Sequence, residues 1–233
     1  MPVSYVFDFD STISKEEALE EFANMILENH SQREEIIKEI EYITNLGIDK
    51  KITFTESLKR RLSLFNARKE DIQRFLDNKR LSLSQSVMEN VEFFHENKDN
   101  IYIISGGFHE FIQPLIKPLQ LKEENIYANN FVFDGEKIVG FDELNIASTN
   151  TGKQEQLKQL NLPGKIVVIG DGTSDKRMKE EGGGHIFCAY TENVRREETL
   201  KGADFELENI HQLLDIVRKE IVPLIHMDKE LVA

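Results

Sequence analysis

Short apolar segments alternate with longer amphipathic segments through most of the 233-residue chain. Four apolar segments predict strands buried on both faces, because they are rich in Val, Ile and Phe and lack strict alternation. They are YVFDF (5–9), IYIIS (101–105), KIVVIGD (165–171) and HIFCA (185–189). Helical patterns cover roughly 84–97, 108–117, 152–160, 174–181 and 208–220. This order predicts an α/β fold, a Rossmann-like parallel sheet with helices on both faces.

Residues 15–83 interrupt this alternation, because they contain helical patterns and no convincing sheet strand. The four predicted helices of this block cover 15–29, 31–45, 53–65 and 67–79. So long a helical block between the first two strands predicts an inserted helical cap rather than a crossover. We therefore expect a discontinuous Rossmann-like core, formed by 1–14 and 84–233, and a cap at 15–83. Asp134-Gly135, between two apolar segments, also predicts a β-hairpin at 131–141.

Composition and charge narrow the possible partners. The net charge is −13, and an acidic surface repels phosphate backbones, so we expect no nucleic-acid partner. The single cysteine, Cys188, cannot form an internal disulfide, which suits a reducing compartment. The sequence shows no signal peptide pattern and no apolar run near the ~20 residues of a membrane span. We expect a cytoplasmic protein with no membrane partner, whereas the sequence does not predict an oligomeric state.

Polar groups recur where the predicted strands end. In a parallel sheet these carboxyl ends meet at one edge, where ligands bind. Four segments place polar residues there: Asp8, Asp10, Ser11 and Thr12 after the first strand; Ser105, Gly106 and Gly107 after the second; Lys153 near a helix start; and Asp171, Gly172, Thr173, Ser174 and Asp175 after the third. The convergence of four segments indicates a binding site more strongly than any one of them.

The chemistry of these residues suits a phosphoryl group. Asp8 and Asp10 are two residues apart, so in an extended chain both side chains point the same way. Two such carboxylates repel each other unless a cation lies between them, and Mg²⁺ prefers this kind of oxygen-rich site. Lys153 adds a second positive charge, and Gly106 and Gly107 allow backbone amides close to an anion. We predict a site for Mg²⁺ and for phosphoryl transfer.

Each motif also has a structural interpretation without catalysis. A D-x-D pair alone is catalytic in roughly one case in ten, and Ser-Gly-Gly or Gly-Asp-Gly alone is usually a turn. Asp175 alone could simply cap a helix. Glu17 stands among other glutamates, and Arg61 belongs to a basic run that could be a solvated face. The order of all these motifs along one chain makes a coincidence improbable.

The combination of FDFDST, SGG, a downstream Lys and GDGxxD resembles the haloacid dehalogenase superfamily across most of the chain. The chain is most similar to the phosphoserine phosphatases of that superfamily. DFDSTISKEE resembles their first motif, with Glu17 nine residues after the first Asp. TFTESLKRRLSLF (53–65) resembles their cap segment, and SGGF (105–108) has their form.

The resemblance implies a role for each matching residue. Asp8 would be the nucleophile that forms an aspartyl-phosphate, and Asp10 would be the general acid and base. By the same resemblance, Mg²⁺ would be held by the Asp8 side chain, the Asp10 carbonyl and Asp171, and the phosphate by Ser105, Gly106 and Lys153. The substrate would be bound by Glu17 at its ammonium and by Arg61 at its carboxylate, with Phe54 above the site. Asp175 would support the metal or Lys153, with Ser174 beside it.

The sequence departs from the family pattern near the third strand. Many relatives have GDGAND where this chain has GDGTSD, so Ser174 replaces an Asn and cannot make both amide hydrogen bonds.

The preferred hypothesis, which depends on Glu17 and Arg61 beside the motifs, is a Mg²⁺-dependent phosphomonoester hydrolase. Its substrate would be a small phosphorylated metabolite, with O-phospho-L-serine as the first choice. Another small phosphomonoester, such as a phosphorylated amine or alcohol, is the alternative. A phosphoryl-accepting receiver module and a catalytically silent phosphate binder are alternatives from other classes.

Overall fold

The computed structural model describes residues 2–48 and 50–218. Its strands are β1 (Val3–Phe7), β2 (Ile101–Phe108), β3 (Ile126–Asn129), β4 (Phe131–Asp134), β5 (Lys137–Phe141), β6 (Lys165–Gly170), β7 (Ile186–Tyr190) and β8 (Phe205–Leu207). Its α-helices are α1 (Ala18–Ile26), α2 (Arg33–Ile48), α3 (Phe54–Leu62), α4 (Lys69–Asp77), α5 (Gln85–Glu89), α6 (Val91–Glu96), α7 (His109–Leu115), α8 (Gly152–Leu160), α9 (Thr173–Glu180), α10 (Glu197–Leu200) and α11 (Ile210–Ile216).

Six strands form one parallel sheet in the order β3-β2-β1-β6-β7-β8, and β4 and β5 form a separate antiparallel hairpin. Successive side chains of a strand point to opposite faces. Phe7 therefore joins the core beneath α5, α6 and α11, whereas Val6 packs with the buried residues of α8 and α9. The predicted α/β fold with helices on both faces of a parallel sheet is confirmed.

The structure differs from the prediction at short or interrupted elements. β3 and β8 were not expected, because they are edge strands of only four and three residues that contain Asn129 and Glu206. The predicted helix 84–97 is divided into α5 and α6 at Asn90, whose side chain donates to the Ser86 carbonyl. The last predicted helix extends to 220, and its final two residues lie outside the described part of the chain.

The helices α1 to α4 lie between β1 and β2 in sequence, as the prediction of an inserted cap requires. The two segments that lead into and out of this block run side by side. Ser84 N donates to the Ile13 carbonyl at 2.9 Å, and Lys15 N donates to the Ser82 carbonyl at 2.9 Å. The helical block therefore leaves and rejoins the sheet at one place. Its status as a separate domain, with boundaries at 14 and 84, stays a prediction.

A cluster of phenylalanine rings joins this helical block to the rest of the protein. The Phe22 ring of α1 lies 5.3 Å from the Phe75 ring of α4 and 5.1 Å from the Phe111 ring of α7. Phe131 of the hairpin stacks on Phe108 of β2 at 3.8 Å and meets Phe111 at 5.5 Å. Aromatic contacts of this kind add about 0.5–1.5 kcal/mol each to the burial of the rings. The cluster therefore fixes α1 and α4 against the sheet.

Glu110, at the start of α7, is a weak point of this packing. Its Oε1 accepts a hydrogen bond from Phe131 N at 3.0 Å, but its Oε2 is enclosed without a partner. Burial raises the pKa of Glu110. The fold therefore favours the protonated carboxyl, and this contribution to stability is lost as the pH rises through the folded-state pKa.

We predict that Glu110→Gln stabilises the protein at pH 8, because the amide keeps the acceptor for Phe131 N and removes a buried charge. A gain of about 1 kcal/mol would raise the melting temperature by about 2–4 °C. The gain should shrink towards pH 4, where the unfolded carboxyl is about half protonated as well. Thermal unfolding at both pH values measures this effect. Glu92→Gln, at an exposed position, is the control. A variant less stable than the wild type at pH 8 would contradict the prediction.

Candidate active site

The site begins where β1 ends. Asp8 follows Phe7, and its backbone N–H donates to the Ile169 carbonyl at 2.9 Å, so the end of β6 holds it in place. Asp8 is buried, with its side chain 10% exposed, and its Oδ1 accepts the Phe9 N–H at 2.7 Å. The carboxylate is therefore fixed at the carboxyl edge of the sheet, next to the strand that ends in Gly170.

Asp10 does not continue the strand, as an extended chain would require. The chain turns at Ser11, which has φ +54°, and Ser14 N closes the wide turn on the Phe9 carbonyl at 2.8 Å. The Asp10 Oδ1 consequently accepts the backbone N–H of Ala18 at the start of α1, at 2.8 Å. The expectation that both aspartates point the same way along an extended strand is therefore wrong. The chain turns after Asp8, and the two side chains bind different partners.

Lys153 of α8 is the centre of the charged site. Its Nζ lies 2.7 Å from Asp8 Oδ1 and 2.7 Å from Asp175 Oδ1. Burial lowers the pKa of Lys153, but attraction to Asp175 and Asp8 outweighs this, so the pKa is raised. The ammonium is therefore charged at neutral pH.

Asp175 is held from its other side by the loop after β6. Its Oδ2 accepts the Gly172 N–H at 2.9 Å. A Cβ on Gly170 would lie 2.3 Å from Asp175 Cγ, so only glycine leaves room for the carboxylate at this position. The sequence G-D-G after β6 is thus explained by the packing around Asp175.

The SGG segment at the end of β2 lies against the same aspartates. Ser105 is buried, and its Oγ accepts the Gly107 N–H at 2.9 Å. A Cβ on Gly107 would lie 2.9 Å from Asp10 Oδ2, so a larger residue would collide with that carboxylate. The Gly106 carbonyl accepts from Asn129 Nδ2 at 2.8 Å. Asn129 was missed in the sequence because it belongs to the unexpected strand β3.

Asp171 brings a third buried carboxylate to the site. Carboxylate oxygens of Asp8, Asp171 and Asp175 all lie within 4.8 Å of one another. Asp171 is also in contact with the guanidinium of Arg196, which lies 3.7 Å from Glu17 Oε1. Arg196 was not predicted, because an arginine in the charged stretch NVRREETLK carries no recognisable signal.

Three predicted residues of the helical block, Glu17, Phe54 and Arg61, face the carboxyl edge of the sheet where these aspartates lie. Glu17 Oε1 accepts the Ser11 hydroxyl at 2.8 Å, and burial raises the pKa of Glu17. Phe54, the first residue of α3, lies over Gly106, where an added Cβ would be 2.8 Å from its Cζ. These contacts bring the helical block onto the loops of the sheet.

Arg61 is buried, unlike its neighbours Lys59 and Arg60 in the basic run. Its Nε has no hydrogen-bond partner, and among the described residues Arg61 forms no ion pair. Burial lowers its pKa, although Glu20 and then Glu17 attract it at longer range. Arg61 is therefore a cationic side chain inside a cavity with its hydrogen-bonding capacity free for a ligand.

A single cavity of about 830 Å³ joins these groups. All predicted site residues except Asp175 line it, including Ser174. Asp175 lies beneath Lys153, completely buried. No helix in the described part of the chain has the length and apolar character needed to cross a bilayer.

The acidic residues fit a hard divalent cation. Asp8 and Asp171 supply carboxylate oxygens close together, and such cations bind carboxylates and carbonyls. Both Asp175 oxygens are already occupied, by Lys153 and by the Gly172 N–H. Asp10 uses Oδ1 for Ala18, so its backbone carbonyl is the group that it could add. Asp8 and Asp171 are thus the side chains best placed to hold a metal.

Comparisons with known proteins agree with this geometry. The model of the haloacid dehalogenase-like hydrolase family matches residues 5–180. A chloroplastic phosphoserine phosphatase of Arabidopsis thaliana is 31% identical over 216 residues, which cover 90% of this chain and 70% of that protein. A phosphoserine phosphohydrolase-like protein of Francisella tularensis is 31% identical, with a TM-score of 0.78 over 93% of this chain and 100% of that one. A phosphoserine phosphatase solved as a phospho-aspartyl intermediate analogue is 22% identical, with a TM-score of 0.69 over 91% and 97%, and shares the fold.

The contact between Arg196 and Asp171 predicts competition with a divalent cation. In Arg196→Gln the Asp171 carboxylate loses its cationic partner, so Mg²⁺ should bind more tightly. An ion pair that is partly exposed contributes up to about 1 kcal/mol, which corresponds to an increase in Mg²⁺ affinity of up to about fivefold. Isothermal titration with Mg²⁺ measures this without substrate. Arg195→Gln, which removes ion pairs to Glu197 and Glu206 at the surface, is the matched control. An unchanged or weaker Mg²⁺ affinity in Arg196→Gln would rule the competition out.

Proposed function

We propose, from the premise that this chain belongs to the haloacid dehalogenase-like hydrolase family, that it hydrolyses O-phospho-L-serine to L-serine and phosphate. The family assignment that the motifs predicted is confirmed. The observation that carries the substrate is Arg61. It is buried without an ion pair in the same cavity as the Asp8 and Lys153 site. A guanidinium in that setting suits a carboxylate, which phosphoserine has beside its phosphate.

Asp8 is the nucleophile of this proposal. Lys153 Nζ and Phe9 N both contact its Oδ1, so the carboxylate is held in place at the end of β1 for attack on phosphorus. Attack forms an aspartyl-phosphate on Asp8 and breaks the bond between phosphorus and the serine oxygen. Water then attacks the aspartyl-phosphate, which releases phosphate and regenerates the Asp8 carboxylate.

Asp10 is suited to move the protons of both steps. Burial raises the pKa of Asp10 well above its usual range, and Glu17 adds to this effect. The carboxyl therefore holds a proton that it can donate to the leaving serine oxygen. The resulting carboxylate can then remove a proton from the attacking water. The hydrogen bond from Ala18 N keeps the side chain oriented through both steps.

The phosphoryl group would lie between Lys153 and the SGG segment. The Lys153 ammonium would neutralise one phosphoryl oxygen. The Ser105 oxygen accepts the Gly107 N–H, which leaves the Ser105 hydroxyl proton free to be donated to the phosphoryl group. The Gly106 amide would supply a further donor, and Asn129 holds the following peptide through its hydrogen bond to the Gly106 carbonyl.

We propose Mg²⁺ as the cation, held by the Asp8 side chain, the Asp10 carbonyl and Asp171. Mg²⁺ would supply positive charge beside the transferring phosphoryl group. The observation that supports this is the buried cluster of carboxylate oxygens, which needs a cation or the Arg196 contact to neutralise Asp171. Ser174 also lines the cavity, and it would support the cation or the phosphate in place of the Asn of the family pattern.

Glu17, Arg61 and Phe54 would recognise the amino acid part of the substrate. The substrate ammonium would lie near Glu17, whose pKa is raised by burial and would fall when a cation pairs with it. The carboxylate would bind Arg61 with both oxygens, and Phe54 would cover the cavity above Gly106. The product L-serine suggests a place in serine biosynthesis, and the single buried Cys188 suits a cytoplasmic enzyme.

The volume of the cavity leaves room for a second candidate substrate. The cavity of about 830 Å³ lies in the upper part of the range for drug-sized ligands, and phosphoserine is much smaller. Another small phosphomonoester, such as a phosphorylated amine or alcohol, would therefore also fit. A receiver module is disfavoured because Asp10 and the helical block over the site have no use in it.

Replacement of the nucleophile tests the reaction. Purified wild-type protein with Mg²⁺ should release inorganic phosphate from phosphoserine, and Asp8→Asn should lower the rate about a thousandfold or more. Phosphate release over time is the measurement, and a chelator should abolish the wild-type activity. Asp142→Asn, at an exposed position, controls for the loss of an aspartate elsewhere. Wild-type protein that released no phosphate from any small phosphomonoester would sink the proposal.

Replacement of Arg61 tests the substrate. Arg61→Ala should raise KM for phosphoserine about 10- to 100-fold, because a charge-assisted hydrogen-bonded pair is lost. Phosphoethanolamine lacks the carboxylate, so its KM should change little. Steady-state kinetics with both substrates measure the difference, and Arg60→Ala, in the partly exposed neighbour, is the control. Equal losses for both substrates would favour the alternative of a carboxylate-free phosphomonoester.

A further inference from the structure

The start of α3 is bound to the segment that leads into α8. The Phe54 backbone N–H donates to Asn150 Oδ1, and the Thr55 hydroxyl donates to the Ser148 carbonyl at 2.7 Å. Asn150 stands three residues before Lys153 and is 96 residues from Phe54 in sequence. These two contacts therefore join the helix that carries Phe54 and Arg61 to the helix that carries Lys153.

The hydrogen bond to Asn150 adds to the capping of α3. The first N–H groups of a helix have no partner within the helix. Thr53 Oγ1 accepts the Glu56 N–H at 3.0 Å, and Asn150 accepts the Phe54 N–H. Because Asn150 is exposed and its bond lies at the surface, water can replace it without unfolding α3. Its loss would release the start of the helix from the core rather than destroy the helix.

Phe54 is the side chain that this contact controls. Its ring lies so close to Gly106 that an added Cβ would be 2.8 Å from Phe54 Cζ. The phenylalanine cluster around Phe22, Phe75 and Phe111 fixes α1 and α4 against the sheet, but Phe54 is not part of that cluster. Phe54 does pack at the edge of the main apolar core, which is not directional, so the polar contacts of Asn150 and Ser148 add the directional restraint on the backbone that carries the ring.

We infer that Asn150 is a positioning residue, which holds the Phe54 ring over Gly106 and so closes the cavity over the phosphoryl site. The effect of Asn150 on turnover rests on the proposed function, whereas its effect on the position of the Phe54 ring does not. Asn150 would act through Phe54 and would not touch the reacting atoms. The side-chain oxygen is the group required, because it accepts the Phe54 N–H.

A double-mutant cycle separates action through Phe54 from a general structural effect. Asn150→Ala should lower kcat/KM for phosphoserine about two- to tenfold, as expected for the loss of one surface hydrogen bond. Phe54→Ala keeps the backbone N–H and removes only the ring. In the Phe54→Ala background, Asn150→Ala should therefore have no further effect. Equal losses in both backgrounds would overturn the inference.

A measurement without substrate reports the ring directly. The Phe54 ring current should shift the amide resonance of Gly106, which two-dimensional NMR of the full chain can follow. In Asn150→Ala this resonance should move towards its position in Phe54→Ala, and Thr55→Val should move it in the same direction. Asn150→Asp keeps the acceptor oxygen and should leave the resonance near its wild-type position. Thr149→Ala, in the exposed neighbour that lines the same cavity, is the control.

The two experiments distinguish the inference from the proposed function. If wild-type protein fails to hydrolyse phosphoserine but the Gly106 resonance moves in Asn150→Ala, the substrate proposal fails and the positioning role stands. If the wild type is active and the resonance stays in place in Asn150→Ala, the positioning role is wrong.

Discussion

The Lys153 ammonium, held between the carboxylates of Asp8 and Asp175, is the interaction on which the site depends. It connects the end of β1 and the first turn of α9 to the start of α8, so three parts of the chain meet at one charge. Two buried aspartates at this distance would otherwise repel each other strongly. The surroundings serve this arrangement: Gly170 leaves space for Asp175, and the Gly172 amide binds its second oxygen.

The charges near the phosphoryl site differ from the net charge of the whole protein. The chain carries a net charge of −13, which disfavours the approach of a phosphate dianion. Inside the cavity, Lys153, Arg61 and Arg196 present positive groups, and a bound divalent cation would add to them. Arg61 is the least compensated of these, since it is buried and unpaired among the described residues. These cations offset acidic side chains that line the same cavity, such as Asp8 and Asp171, and they provide local partners for an anionic group.

Much of this arrangement could be predicted from the sequence, and the exceptions have physical reasons. Buried strands such as β1 and β6 have a strong apolar signal, and the aspartates, glycines and Lys153 at their ends follow the logic of a parallel sheet. The direction of Asp10 could not be predicted, because it depends on the left-handed turn at Ser11. Contacts such as Arg196 with Asp171 and Asn150 with Phe54 join residues that only the folded chain brings together, and neither pair has a local sequence pattern.

The adjacent entry and exit of the helical block have a consequence for how such a protein can change. Ile13 and Ser84 are joined by a backbone hydrogen bond, so the segment between them is a closed loop whose two ends meet beside the sheet. The entropic cost of closing a loop grows only slowly with its length. Helices can therefore be lengthened, shortened or exchanged between these two points without disturbing the pairing of β1 with β2. The helical block can therefore vary in evolution while the residues at the strand ends stay in place.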